Sequence, residues 1–272
     1  MTSDTLSGKK AKSPRNGGDQ LLEVDDRLFL QSVARALYVL EAFGRDARPM
    51  SLSEIAASAR ITKSAAQRAA QTLLSLGYLE RSSDGGLLPG RRLLDRAFDY
   101  LRSNPLIERA TPILIELRKN SGERVDFSLF DDLSILYAIR LQSKRETFFA
   151  TLAGRRIPTF CSSGGRSMLA HLDDAAIDDI LRRSERKALT PKTITDLDKI
   201  WDKVREARRE GYAYAVEESL LGEVVLSAAV LDDRRQPVAA VHIAGSLSEW
   251  TVDDFRKRFA PLAIEAARAL SY

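Results

Sequence analysis

The sequence is poor in the residues that carry metal and redox chemistry. Its 272 residues include one cysteine, Cys161, and two histidines, His171 and His242. A single cysteine excludes an internal disulfide and a clustered thiolate metal site. Two histidines without ligand-like spacing leave no His-rich metal site or relay, so no metal, cofactor or catalytic residue is expected. No apolar run approaches the roughly 20 residues that cross a bilayer. The polar stretch 1–19 lacks the apolar core of a secretion signal. A cytoplasmic protein with no membrane partner is expected. There is no P-loop and no spaced G-x-G-x-x-G run to hold a nucleotide.

What the sequence does have is an uneven charge. The net charge is +4, and residues 1–104 hold all of it, with 16 Lys+Arg against 12 Asp+Glu. The remaining residues balance at 26 of each sign. A basic part joined to a neutral part suggests one portion for a polyanion and another for a different task. At about 100–200 residues per domain the length also suggests two domains.

Residues 1–26, rich in Ser, Gly, Lys and Asp, read as a disordered arm. From Gln31, the apolar residues Val33, Leu37, Leu40 and Phe43 fall on one helical face, with Gly44 as the stop. Ser51 and Glu54 have capping-box spacing at the start of a short second helix. Thr62 can cap a third helix that ends at Gly77, with Ala66, Ala69/Ala70 and Leu73 on its inner side. Two short apolar runs around Asp84-Gly85-Gly86 then read as a β-hairpin. Helix, helix, turn, helix, hairpin over 27–90 is the order of a winged helix-turn-helix, whose third helix enters the major groove. Lys63, Ser64, Gln67 and Arg68 would face base edges there, and Arg81, Arg91 and Arg92 could reach the backbone. A linker helix is expected at 91–104, broken by Asn104-Pro105.

The neutral part, 105–272, mixes helices with alternating strands. A helix is expected at 106–120. Val125, Phe127 and Leu129 alternate, as do Ile135, Tyr137, Ile139 and Leu141, giving a hairpin. A third strand is expected near 148–152 with a turn at 154–156. Helices are expected at 162–171, 175–182 and 197–211, strands at 224–231 and 238–244, and a last helix capped by Thr251. The fold class is therefore α+β: an N-terminal winged helix-turn-helix, a linker helix, and a C-terminal α/β domain with an antiparallel sheet.

The most unusual stretch in that domain runs from Pro158 through Phe160, Cys161, Ser162, Ser163, Gly164 and Gly165 to Arg166. Hydroxyls and glycines opening a helix suit an anion such as a carboxylate, and equally suit simple capping. Arg166 would add charge or face solvent. Cys161 reads as a buried thiol, with a nucleophile as the alternative. Glu217 and Glu218 read as structural hydrogen-bonding groups rather than a catalytic pair, since neighbours on an extended segment point opposite ways. His171 and His242 read as core or surface residues.

Several separated motifs resemble the IclR-type transcriptional regulators. They are Gln31-Ser32-Val33-Ala34-Arg35-Ala36-Leu37, Leu52-Ser53-Glu54-Ile55-Ala56, Thr62-Lys63-Ser64 and Gly77-Tyr78-Leu79 in the basic part. In the neutral part they are Ser162-Ser163-Gly164-Gly165-Arg166, Gly211-Tyr212-Ala213, Glu217-Glu218 and Ser227-Ala228-Ala229-Val230. Leu189-Thr190-Pro191-Lys192-Thr193-Ile194-Thr195-Asp196 is similar to the branch that regulates aromatic-acid and β-ketoadipate catabolism. The resemblance covers about residues 30–270. It implies a homodimer or homotetramer on a pseudo-palindromic DNA operator, controlled by a small organic acid or related metabolite. Repression of a catabolic operon is the expected role, with activation of aromatic-acid catabolism, or a thiol hydrolase fused to a DNA-binding module, as alternatives. It makes Ser53, Thr62, Lys63, Ser64, Gln67, Arg68, Arg81 and Arg91 the candidate DNA contacts. It makes Phe160, Cys161, Ser162, Ser163, Gly164, Gly165, Ala215, Val216, Glu217, Val225 and Ser227 the candidate effector contacts. Members often carry His, Asp and Cys where this chain has Phe160, Ala215–Val216 and Val225, which implies a less polar pocket.

Overall fold

The computed structural model describes residues 28–43, 48–142 and 153–272. The arm expected at 1–26, the stop at Gly44 and the strand expected at 148–152 lie outside the described residues. The chain divides into two compact units, the first ending at Pro105 and the second running from Leu106 to Tyr272.

The first unit comprises α1 (Gln31–Glu41), α2 (Leu52–Ser58), α3 (Lys63–Ser75), β1 (Leu79–Arg81), β2 (Leu87–Pro89) and α4 (Arg92–Ser103). The capping box forms as expected. Ser51 Oγ accepts from the Glu54 amide at 3.3 Å, and Glu54 Oε2 accepts from the Ser51 amide at 2.8 Å. That backbone bond, with the Arg48 and Ser51 side chains, lowers the Glu54 carboxyl to about 2. Thr62 Oγ1 accepts from the Ala65 amide at 3.2 Å and opens α3. Gly77, at φ +77°, ends that helix in a conformation β-carbons resist. The core is Val39, Ile55, Ala70, Leu73, Leu79 and Leu87.

The inner face of α1 differs from the expected one. Val33 and Leu37 are each 52% exposed, while Ala34, Val39 and Ala42 are buried. Val39 and Ala42 join Ile55, Ala70 and Leu73 in the core of this unit. The expected stripe is thus split: Leu40 and Phe43 pack on the core, while Val33 and Leu37 stay exposed in this unit.

The second unit comprises α5 (Pro105–Ser121), β3 (Arg124–Asp131), β4 (Ser134–Leu141), β5 (Arg156–Pro158), a 3-10 turn (Thr159–Cys161) and α6 (Ser163–Leu169), followed by α7 (Asp174–Arg183), α8 (Leu197–Glu210), β6 (Ala213–Val216), β7 (Glu223–Leu231), β8 (Pro237–Ser246) and α9 (Val252–Leu270). The strands form one antiparallel sheet in the order β5-β4-β3-β8-β7-β6. This is the α+β class expected. Two details differ: Arg156, expected in a turn, is already in β5, and β6 was not expected, being only four residues long.

The sheet has two unlike faces. One carries Val125, Phe127, Leu226, Val241 and Ile243 against α5 and α9, a mainly apolar interface that includes Phe255 and Phe259. The other faces α6, α7 and α8 and mixes apolar residues with Asp126, Ser128, Ser227 and His242, all buried. A register shift between β3 and β4 pairs Phe127 with Ile139 but Ser128 with Tyr137, leaving Ala138 as an extra residue. It divides what reads as one alternating face. Ile135 and Tyr137 turn toward the α6 side, whereas Ile139 and Leu141 pack on the α9 side.

Two glycines let α6 lie close. A β-carbon on Gly164 would meet His242 Cε1 at 2.3 Å, and one on Gly165 would meet the Thr159 carbonyl oxygen at 2.1 Å. The Thr159 oxygen is backbone and cannot step aside. Gly165→Ala is therefore expected to destabilise the fold by about 1–3 kcal/mol through overpacking, read as a lowered urea midpoint with an unchanged m-value.

Candidate functional site

The first candidate surface is the outer side of α3. Lys63, Ser64, Gln67 and Arg68 are exposed there, opposite the buried Ala66, Ala70 and Leu73. Lys63 and Gln67, one turn apart, line a groove of about 560 Å³ between α2, α3 and the hairpin, together with Ser53, Gln71, Arg81 and Gly86. Gln71 continues the same stripe and was missed as a candidate, although its spacing of four from Gln67 signals it. Thr62 is used structurally as the cap of α3. Arg91 is exposed, but its Nε pairs with Glu80 at 3.0 Å.

The second candidate lies in the other unit, where the start of α6, the sheet and the chain at Glu217–Leu220 border a small, partly open cavity of about 10 Å³. Ser162, Ser163, Ala215, Glu217 and Val225 line it, joined by Tyr137, Glu218 and Glu223. The remaining effector candidates lie elsewhere. Phe160 and Cys161 are fully buried in the apolar cluster, and Cys161 Sγ lies 3.6 Å from the Pro158 carbonyl oxygen. Gly164 and Gly165 are packed as described above. Val216 packs on the opposite face of the sheet. Ser227 is one layer deeper, its Oγ 2.6 Å from Ser163 Oγ.

Arg166 neither faces solvent nor points a free charge at the cavity. It is fully buried and forms a two-pronged ion pair with Glu218, at 2.5 and 2.8 Å, while its Nε donates to the Phe160 carbonyl at 2.9 Å. Glu218 Oε2 also accepts from the Ile194 amide at 2.9 Å. Thr190 and Thr193 hydroxyls donate to the carbonyls of Glu217 and Glu218 at 2.6 and 2.7 Å. The segment expected from its resemblance to the aromatic-acid branch thus holds the cavity's outer wall. Glu217 is not extended, as the sequence reading took it to be, but sits at φ +57°. Its carboxylate accepts from the Gly222 amide at 2.9 Å.

Beneath the cavity lies a buried charge cluster. Asp126 accepts from Arg140 Nε and Nη2 at 3.1 and 3.0 Å and from Arg124 Nε at 3.0 Å. Arg124 also pairs with Glu223 at 2.7 Å. The bulge puts Arg140 under Tyr137, with 4.2 Å from guanidinium carbon to ring centroid. Burial, reinforced by Asp126, raises the Tyr137 phenol well above its ordinary value. Two of the three carboxylates at the cavity are therefore neutralised by arginines.

His242 is in the core, one of the two placements expected for it. Its Nε2 lies 2.7 Å from Ser128 Oγ and its Nδ1 2.7 Å from Ser227 Oγ. Desolvation lowers its pKa to about 3; Asp126 opposes that shift, while Arg140 and Arg124 add to it. The sequence signal for this network was the set of polar residues Asp126, Ser128, Ser227 and His242 inside otherwise apolar strands.

Comparison with known proteins shows the family. Residues 98–272 match the family model described as bacterial transcriptional regulator IclR C-terminal, and residues 32–83 match the IclR helix-turn-helix domain. The Pca regulon regulatory protein of Pseudomonas putida is 29% identical over 90% of this chain and 84% of its own length. The transcriptional repressor IclR of Escherichia coli (strain K12) is 27% identical over 89% of each. Among solved structures, an IclR homolog from Microbacterium hydrocarbonoxydans, complexed with 4-hydroxybenzoate, has a similar fold. Its TM-score is 0.71 at 23% identity, covering 88% of this chain and 97% of that one.

The neutral His242 has a consequence for stability. As pH falls below the usual 6.5, the unfolded chain protonates this imidazole, while the folded chain stays neutral down to about 3. Stability is therefore fully present above pH 6.5 and lost toward acid, with this one group contributing up to about 1.4 kcal/mol per pH unit. Urea unfolding at pH 7, 6 and 5 measures the slope, and His242→Asn is expected to remove that share of it.

Proposed function

This chain belongs to the IclR family of bacterial transcriptional regulators, and we propose that it represses a catabolic operon, releasing or tightening on its operator when a small organic acid binds. The observation that carries this reading is the pairing of two independent surfaces. One is an exposed polar face on α3, whose start is capped by Thr62; the other is a small pocket in a separate unit. Gln67 and Arg68 have the hydrogen-bonding geometry for adenine and guanine edges, and Lys63 for a phosphate. Cys161 has a packing role, which favours a sensor over a thiol hydrolase. A regulator acting on DNA would work in the cytoplasm.

An aromatic carboxylate is the favoured effector class. The similarity to a Pca regulon regulatory protein and to a homologue holding 4-hydroxybenzoate supports it. So do the neutralised carboxylates and the apolar Val225 and Ala215. A cavity of about 10 Å³ is room for one water. The ligand therefore has to enlarge the cavity at its exposed edge, Leu220, since Glu217 and Glu218 are tied to Thr190, Thr193 and Arg166. A tenfold change in operator affinity requires about 1.4 kcal/mol of differential binding between two arrangements of the protein.

A homodimer reading two half-sites is supported by apolar surface left open on the first unit. Val33 and Leu37 on α1 are uncovered, as are Leu94 and Phe98 on α4 at 72% and 64% exposure. Joining two copies along this surface would pair two α3 helices for a pseudo-palindrome.

Gel shift at controlled salt on the DNA upstream of the protein's own gene tests the first claim. Gln67→Ala and Arg68→Ala are each expected to cost about 10–100-fold in specific binding, with little effect on random DNA. Equal losses on both DNAs would leave these residues a backbone role only. For the assembly, Phe98→Glu is expected to shift sedimentation toward monomer and to weaken operator binding. A variant that still sediments as a dimer would place the interface elsewhere.

A further inference from the structure

A chain of four buried polar groups runs from the sheet to the cavity: Ser128 Oγ, His242, Ser227 Oγ and Ser163 Oγ, with successive separations of 2.7, 2.7 and 2.6 Å. Only the last reaches the cavity wall. The neutral imidazole has one donor and one acceptor nitrogen, and each hydroxyl has one proton. Four protons serve three links, so one proton is left over, and the polarity of the chain decides where.

If His242 carries its proton on Nε2, it donates to Ser128. Donation then runs from Ser163 to Ser227 to Nδ1, and the spare proton belongs to Ser128. Ser128 is fully buried, and its hydroxyl has no second partner among the described residues. If the proton is on Nδ1, Ser128 donates to Nε2, Nδ1–H to Ser227, and Ser227 to Ser163. The spare proton then belongs to Ser163, at the cavity. A mixed arrangement strands the proton of Ser227, which is also fully buried. An unpaired donor is costly in the interior and cheap where water or a ligand can accept it. The burial pattern therefore selects the Nδ1–H form.

We propose that His242 is a positioning residue for ligand recognition: through Ser227 it fixes Ser163 as a hydrogen-bond donor, so the cavity selects a ligand presenting an acceptor oxygen, a carboxylate or carbonyl. The ligand half of this rests on reading the cavity as the effector site. The surroundings hold the chain in place. Gly164 sits directly on the imidazole, where a β-carbon would lie 2.3 Å from Cε1. Asp126, paired across the strands with His242, is occupied by Arg124 and Arg140 and does not compete for the imidazole proton. Desolvation keeps the ring neutral, which the alternating chain requires.

Two-bond proton–nitrogen correlation spectra of the full chain, labelled with 15N-histidine, read the tautomer directly. The expected result is Nδ1–H with a bare Nε2; an Nε2–H form or an imidazolium overturns the proposal. Ser163→Ala removes the acceptor of Ser227 and is expected to shift population toward Nε2–H, whereas Ser128→Ala keeps Nδ1–H. No shift in Ser163→Ala also overturns it, and the wild-type spectrum decides alone if that variant does not fold. Sodium benzoate is expected to move the Nδ1 resonance and to bind about tenfold more weakly to Ser163→Ala, while benzamidinium does neither. Benzamidinium acting like benzoate overturns the selectivity. Nδ1–H with no benzoate response removes the effector reading and leaves the polarised chain standing.

Discussion

The second unit is organised by how near α6 lies to the sheet. At Gly164 there is no room for even a methyl group above the His242 ring, and at Gly165 none beside the Thr159 carbonyl. That closeness has three effects. It brings Ser163 within hydrogen-bond reach of Ser227 on β7. It places the start of the helix against Val225 and Ala215 as one wall of the cavity. It also traps Arg166, whose position on a short helix gives it no path to solvent.

A trapped guanidinium must be paired, because its desolvation is offset only when geometry and hydrogen bonding are both complete. Arg166 meets that condition with Glu218 and the Phe160 carbonyl, and Glu218 with the Ile194 amide. The pair therefore joins the turn before α6, the chain before α8 and the loop after β6. Such a junction adds little stability over an apolar replacement, but it fixes which loop conformation covers the cavity. The same logic holds beneath it, where Asp126 is shared by Arg124 and Arg140. The α9 face of the sheet, built mainly from apolar side chains, supplies the hydrophobic stabilisation that lets the α6 face keep so many polar groups.

Local rules recovered much of this from sequence. Ser51, Thr62 and Thr251 cap helices because a side-chain oxygen followed by a helical run has few other uses. The strands around Phe127, Val225 and Val241 showed themselves by length and β-branched content. What escaped depends on partners distant in sequence. The bulge at Ala138 is invisible in the alternation of β4 and is set by pairing with β3. The buried pairing of Arg166, expected either to add charge or to face solvent, was hidden because Glu218 is 52 residues away. The inner face of α1, with Ala34 and Val39 buried and Val33 and Leu37 exposed, depends on tertiary packing that periodicity within α1 cannot see. For the sites, α3 was legible because its polar face is local. The links from Ser163 to Ser227 and from Ser227 to His242 were not, since they exist only once three segments are brought together.

The link between the units carries its own constraint. α4 ends at Ser103 and α5 begins at Pro105, with only the extended Asn104 between them. Proline forbids a continuous helical hydrogen bond here and keeps Asn104 extended, so α4 and α5 are separate helices. Yet α4 has no buried residue, and twelve residues are too few for a helix to be stable on propensity alone. Its apolar stripe, Leu94 and Phe98 with the half-covered Leu93 and Leu101, must be covered if α4 is to hold its shape. Covering that stripe is therefore a condition for α4 to keep its helical shape, which is the physical ground for the dimer proposed above.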